Sequence, residues 1–185
     1  RPIALHHMVV SESKGSGQIL TGQIRVYVES KQAFPIQPEG DEVFSPDHSI
    51  AEHLFQVLRG SNNLIFPNSR TQVEWFADSL RRRCEQDGVP NEFWPHHGSL
   101  AKDIREETEK ALKAGDQPAT AVCTTTLELG VDIGSIKTVV QIGAPPSVAS
   151  LRQRLGRSGR RPGEAAVLRS YCKERELDDD SPLSD

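Results

Sequence analysis

The segment Gln153-Arg154-Leu155-Gly156-Arg157-Ser158-Gly159-Arg160 holds two arginines, Arg157 and Arg160, three residues apart and each preceded by a glycine. That combination suits the gripping of a charged phosphoryl group. A guanidinium is a planar fork that donates parallel hydrogen bonds to phosphate oxygens, and the glycines let the backbone come close without steric bulk. Phosphoryl transfer spreads charge over several oxygens, which positioned arginines stabilise. Gln153, Arg157 and Arg160 are therefore the candidate catalytic residues; a solvated basic helix is the plainer reading. The surroundings favour the first. Residues 151–175 contain eight Arg or Lys and two acids, on a chain whose formal net charge is −4. A local basic concentration on an acidic chain fits an anionic ligand held at one place.

Three further segments place polar groups after apolar runs. Cys123-Thr124-Thr125-Thr126-Leu127-Glu128-Leu129-Gly130-Val131-Asp132 follows a strand-like stretch, and its threonines read on their own as β-branched filler. Asp132, an acceptor at a turn beside Gly130, reads on its own as a cap. Asn68-Ser69-Arg70 ends the run Leu64-Ile65-Phe66-Pro67 and opens a helix, where outward N–H groups favour an anion and where Ser or Asn also serves as a simple cap. His96-His97-Gly98 lacks a third ligand at zinc-like spacing, so no metal site is expected there.

In order and content these segments resemble the C-terminal RecA-like lobe of superfamily 2 DEAD/DEAH-box helicases. Residues 153–160 are similar to motif VI (QxxGRxGR), and 123–132 to motif V with its Gly-x-Asp ending. Residues 64–70 are similar to motif IV, and His97-Gly98 with Arg105 to the motif that follows it. The resemblance spans roughly residues 62–172. Leu-Glu-Leu-Gly-Val-Asp-Ile-Gly at 127–134, then Val-Val-Gln-Ile-Gly-Ala-Pro at 139–145, most resembles the large helicase-related (Lhr) group.

The resemblance implies the second motor lobe of an ATP-dependent DNA or RNA helicase or translocase. Arg157 and Arg160 would reach the γ-phosphate of ATP, one of them as arginine finger, with Gln153 in support. Asp132, with Gly130 and Gly156 near it, would meet the ribose or lock the arginines. Thr124 and Thr125, Asn68, Ser69 and Arg70, and His97 and Gly98 would touch the backbone of single-stranded or duplex nucleic acid. ATP and Mg2+ would be held mainly by the N-terminal RecA-like lobe of the same polypeptide, because no GxxxxGK[ST] phosphate loop occurs in this chain. Alone, the lobe should hydrolyse nothing. The alternative is a non-catalytic nucleic-acid or protein interaction module on the same fold.

The elements that must position these residues follow from periodicity. Strand-like runs at 64–66, 93–94, 119–123, 138–142 and 165–168 alternate with helical spacing at 50–58, 73–84 and 100–112. The third helix is stopped by Gly115, and Ser49 and Ser99 are candidate caps for the first and third. Alternation of this kind predicts a three-layer α/β domain with a mainly parallel sheet, RecA-like by the resemblance. The expected organisation is an extension or linker over 1–47, the lobe over 48–175 and an acidic tail over 176–185. In the first segment only Ile24-Arg25-Val26-Tyr27-Val28 alternates like a strand.

No apolar run approaches a membrane span, the start Arg1-Pro2-Ile3 shows no secretory pattern, and Cys84, Cys123 and Cys172 form no CxxC pair. A cytoplasmic protein without membrane contact is expected, and the missing initiator Met is read as a start inside a longer polypeptide.

Overall fold

Residues that alternate between two apolar environments make strands buried on both faces, and these organise the molecule. The computed structural model describes residues 4–10, 20–29, 45–128, 131–159 and 165–175. The strands are β1 (Ala4–Val10), β2 (Leu20–Glu29), β3 (Asn63–Phe66), β4 (Phe93–His96), β5 (Thr120–Cys123), β6 (Thr138–Ile142) and β7 (Ala166–Arg175). They form one sheet in the order β1-β2-β7-β6-β3-β5-β4. Every pair from β2 to β4 is parallel, and β1 closes the edge antiparallel to β2. Helices α1 (Pro46–Leu58), α2 (Arg70–Gln86), α3 (Lys102–Ala114) and α4 (Val148–Leu155) complete a three-layer RecA-like α/β fold.

Two cores lie against the sheet. On one face Ile65, Val122, Val140, Ile142 and Tyr171 pack with Ile50 and Leu54 of α1 and Phe76 and Leu80 of α2. On the other, Leu64, Phe66, Ala121, Cys123 and Val139 pack with Leu112 of α3 and with Leu127, Ile133 and Ile136 of the β5–β6 connection. Each central strand feeds both cores, as a parallel sheet between helix layers requires. Pro95 is tolerated in β4 because that strand is an edge.

Some boundaries differ from expectation, each for a local reason. α1 starts at Pro46 with Ser45 as N-cap, not at Ser49; proline at the first helical position has φ already set and no N–H to leave unpaired. α3 starts at Lys102 after Ala101, and Ser99 instead accepts a hydrogen bond from Arg70. The helical spacing over 100–112 would turn Ile104 inward, yet it is exposed, while Thr108 takes a buried place in α3. Gly115 does end the helix, at φ 66° in the left-handed region. β7 runs to Arg175, well past Leu168. Within 1–47, β1 and β2 extend the same sheet, β2 pairing with β7 along its whole length. The other loops of that segment and the tail 176–185 lie outside the described residues. Among the described residues, no helix is long and apolar enough to cross a membrane.

Candidate nucleotide and nucleic-acid interface

Parallel strands bring their carboxyl ends to one edge, where ligands of open α/β sheets bind. The loops after β3, β4, β5 and β6 meet at that edge. After β3, Ser69 caps α2 by accepting from Gln72 N at 3.2 Å, and Asn68 Nδ2 donates to Ala144 O beyond β6 at 2.9 Å. Asn68 Oδ1 accepts from Gln141 Nε2 at 3.4 Å. Gly143 sits at φ 74°, and a Cβ there would come within 2.8 Å of Asn68 Nδ2, so the β3 and β6 ends fit closely. Arg70 Nη1 donates to Ser99 Oγ at 2.7 Å, tying the start of α2 to the loop after β4.

His96 and His97 serve this edge as struts. His97, nearly buried, bonds Glu74 through Nε2 and accepts from Ser99 N at 3.3 Å. His96 Nε2 lies 2.9 Å from Glu109 Oε1 and its Nδ1 2.7 Å from Thr126 Oγ1, whose hydroxyl donates to the His96 carbonyl at 3.1 Å. Burial holds His96 below its ordinary pKa, partly offset by the bond to Glu109, so the ring is neutral near pH 7. Thr124 N donates to His96 O at 3.3 Å, which fixes the β5 end against the β4 end. Thr124 is half-buried, whereas Thr125, Asn68, Ser69, Arg70 and Gly98 are exposed. The candidate contact residues thus form one row of loops, with polar groups available to a backbone of phosphates. Among the described residues no group of three or more His, Cys, Asp and Glu side chains could hold a metal ion.

Below this row lies a network absent from the sequence reading. Arg154, only 2% exposed, directs Nε and Nη2 to Glu128 Oε2 at 3.1 and 3.0 Å and Nη1 to Gln141 Oε1 at 2.5 Å. Its guanidinium carbon stands 4.5 Å from the centre of the Phe66 ring. A charge so far out of water needs a partner for nearly every donor, and it has them. Two signals could have revealed it. Gln141 interrupts a continuous apolar strand, and Glu128 stands between two leucines where an apolar pattern would place a hydrophobe.

Arg157 lies in the same neighbourhood. It is buried, with Nε and Nη2 donating to Glu128 O at 3.1 and 2.9 Å and Nη1 to Val131 O at 2.8 Å. Glu128 therefore holds two arginines at once, Arg154 by its carboxylate and Arg157 by its carbonyl. One residue further than Val131, the exposed Asp132 pairs with Lys113 Nζ at 2.8 Å. Gly134, at φ 72°, lies against the end of α3 so closely that a Cβ would meet Leu112 O at 3.1 Å. Gln153 is exposed on α4, and Gly156 is the helix C-cap. Arg160 and Gly130 lie outside the described residues. The structure brings Arg157 beside the Asp132 loop, which follows the short 3-10 turn Thr125–Leu127 in the chain.

The family model of the helicase conserved C-terminal domain matches residues 47–162. The chain is similar to the ATP-dependent helicase Lhr-Core of Methanocaldococcus jannaschii, at 39% identity over 131 residues, which are 68% of this chain and 15% of that protein. Among solved structures, it is similar to the Mycobacterium smegmatis helicase Lhr bound to ssDNA and AMP-PNP. That likeness has 33% identity and a TM-score of 0.62 over 70% of this chain and 18% of the other. The DUF1998 helicase MrfA bound to DNA matches at 27% identity and a TM-score of 0.66, over 85% of this chain and 21% of that one. The chain thus spans about 15% of the length of the curated relatives it matches.

Proposed function

This chain belongs to the helicase conserved C-terminal domain family, with relatives of the Lhr type, and we propose that it is the second motor lobe of an ATP-dependent DNA or RNA helicase or translocase. Its partner would be the N-terminal RecA-like lobe of the same polypeptide, which would hold ATP and Mg2+. The observation that carries this reading is the double hold of Glu128. One residue joins the motif V turn, whose threonines face the strand-end edge, to both Arg154 and Arg157 of motif VI. A shift of the turn when Thr124, Thr125 and the Asn68–Arg70 loop take a phosphate backbone would move the arginine segment with it.

In this division of labour Arg157 holds the loop that carries Asp132, through the carbonyls of residues 128 and 131. Arg160 supplies the finger to the γ-phosphate, Asp132 turns toward the ribose, and Gln153 supports the nucleotide side. An exposed carboxylate next to a guanidinium-braced loop fits a nucleotide arriving from a second lobe. The arginines stabilise charge as it develops during phosphoryl transfer, which in motors of this kind is worth about 10³-fold or more in turnover.

The test is ATP turnover by the full-length parent, with and without single-stranded DNA and RNA, beside its Arg160→Ala and Arg157→Ala variants. Nucleic acid should stimulate the parent. Arg160→Ala should lower turnover by about 10³-fold while the strand still binds. A parent that turns over no ATP with either polymer, or an Arg160→Ala variant equal to the parent, would instead establish the non-catalytic interaction module.

A further inference from the structure

The parallel register of β2 and β7 sets Gln23 beside Arg169, Arg25 beside Tyr171 and Tyr27 beside Lys173. Successive side chains alternate sides, so these six share one face of the sheet, the face covered by α1 and opposite Arg154. Two groups of α1 reach it. His53 Nδ1 lies 2.6 Å from the Tyr171 hydroxyl, and Asp47 takes Lys173 Nζ at 2.8 Å.

The three cations of this face are treated unequally. Asp47 neutralises Lys173, but no carboxylate among the described residues pairs with Arg25 or Arg169. Their contacts are neutral: Arg169 donates to the Gln23 side-chain oxygen, and Arg25 bonds the Tyr27 hydroxyl. The Nε of each guanidinium is shut away from solvent with no acceptor. Burial, then the fields of Arg25 and Arg169, lower His53 to a pKa of about 4, so the ring stays neutral rather than add a further charge to this face.

Two adjacent half-buried guanidiniums repel each other, and a desolvated charged donor without an acceptor is costly. An oxyanion accepting from the Nη groups of both forks offsets the repulsion and supplies the counter-charge that the described residues do not give either guanidinium. We propose that Arg25 and Arg169, framed by Gln23, Tyr171 and His53, form a phosphate-binding site separate from the strand-end edge. The two forks come from neighbouring strands on one face of the sheet, and a tetrahedral group of oxygens can be shared between them. Its source is either a backbone phosphate of a nucleic-acid strand or free inorganic phosphate, and the site stands independently of whether the lobe drives a motor.

The test follows the His53 ring by NMR in this chain, titrated with inorganic phosphate and separately with a single-stranded oligonucleotide lacking terminal phosphates. His53→Gln assigns the signal. Either ligand should shift the ring saturably and raise its pKa, since an anion offsets the two arginines. Arg25→Gln and Arg25→Lys should each weaken that response by about tenfold, the lysine keeping the charge and losing the fork. A response to the oligonucleotide alone assigns the site to the strand, and one to phosphate alone assigns it to the free ion. A silent His53 with both ligands, or an undiminished response in Arg25→Gln, overturns the proposal. So does a response that appears only after residues 176–185 are removed, because the arginines would then be paired with the chain's own acids.

Discussion

Arg154 and Arg169 stand on opposite faces of one sheet and meet desolvation in opposite ways. Arg154 is the more deeply buried, yet it has a carboxylate, an amide oxygen and an aromatic ring around it. Arg169 is half-buried with a glutamine oxygen and an unpartnered Nε. The first arrangement is complete in itself and works as scaffold, fixing α4 to the β5–β6 connection. The second has no carboxylate among the described residues and gains a counter-charge only when a ligand supplies one. Burial alone therefore does not separate structural from binding arginines; the list of acceptors does.

Glu128→Leu breaks the complete arrangement most severely. It leaves Arg154 charged and buried with only Gln141 as a polar partner, and stability should fall by about 3–5 kcal/mol, read from urea unfolding of this chain. Adding Arg154→Met to Glu128→Leu should restore most of the loss, because an apolar pair of similar volume needs no acceptors. A single variant that loses less than about 1 kcal/mol would mean that water reaches Arg154, and the contrast between the faces would collapse.

The same contrast explains what the sequence made legible. Arg157, Asp132, Thr124 and Asn68 stand in contiguous motifs that a resemblance can pick out, and β6 fell at 138–142 as its apolar run implied. Arg154 announced nothing, because an arginine on a short helix reads as a solvated charge until Glu128 and Gln141, distant in sequence, are brought beneath it. The extension of the sheet through β1 and β2 was hidden for a related reason. Ile24-Arg25-Val26-Tyr27-Val28 shows a strand period, but its partner β7 lies well over a hundred residues away. Helix starts were missed where several serines competed, and the choice fell to Pro46 for α1 and to the Arg70–Ser99 bond for the loop before α3.

Gly143→Ala tests how closely the strand-end edge is fitted. Its φ of 74° strains any L side chain, and the new methyl would press on Asn68 Nδ2, whose bond to Ala144 joins the β3 and β6 loops. The expected loss is about 1–3 kcal/mol in thermal or urea unfolding. Gly60→Ala is the control: φ is 78° there, but nothing lies within 4 Å of the added methyl. It should cost only the backbone term of about 1 kcal/mol. Equal losses at the two positions would show that the contact with Asn68 carries no weight.

The smallest effect belongs to His53 and sharpens the comparison from the other face. An unfolded histidine takes up a proton near pH 6.5, whereas His53 in the fold, desolvated by burial and then opposed by Arg25 and Arg169, does so only near pH 4. The unfolded chain therefore binds the proton first, and the fold loses stability as pH falls from 6.5 toward 4, with nothing lost above that window. His96, also lowered by burial, contributes in the same direction, so the measurement must be a difference. His53→Gln should make the urea midpoint fall less steeply with pH across the window than in the parent chain. Saturating phosphate should flatten the parent's slope in part, because an anion between the two arginines removes their opposition to His53 while its burial remains. Slopes unaffected by both the substitution and the phosphate would mean that Arg25 and Arg169 exert no field at His53, and the incomplete face would be incomplete in appearance only.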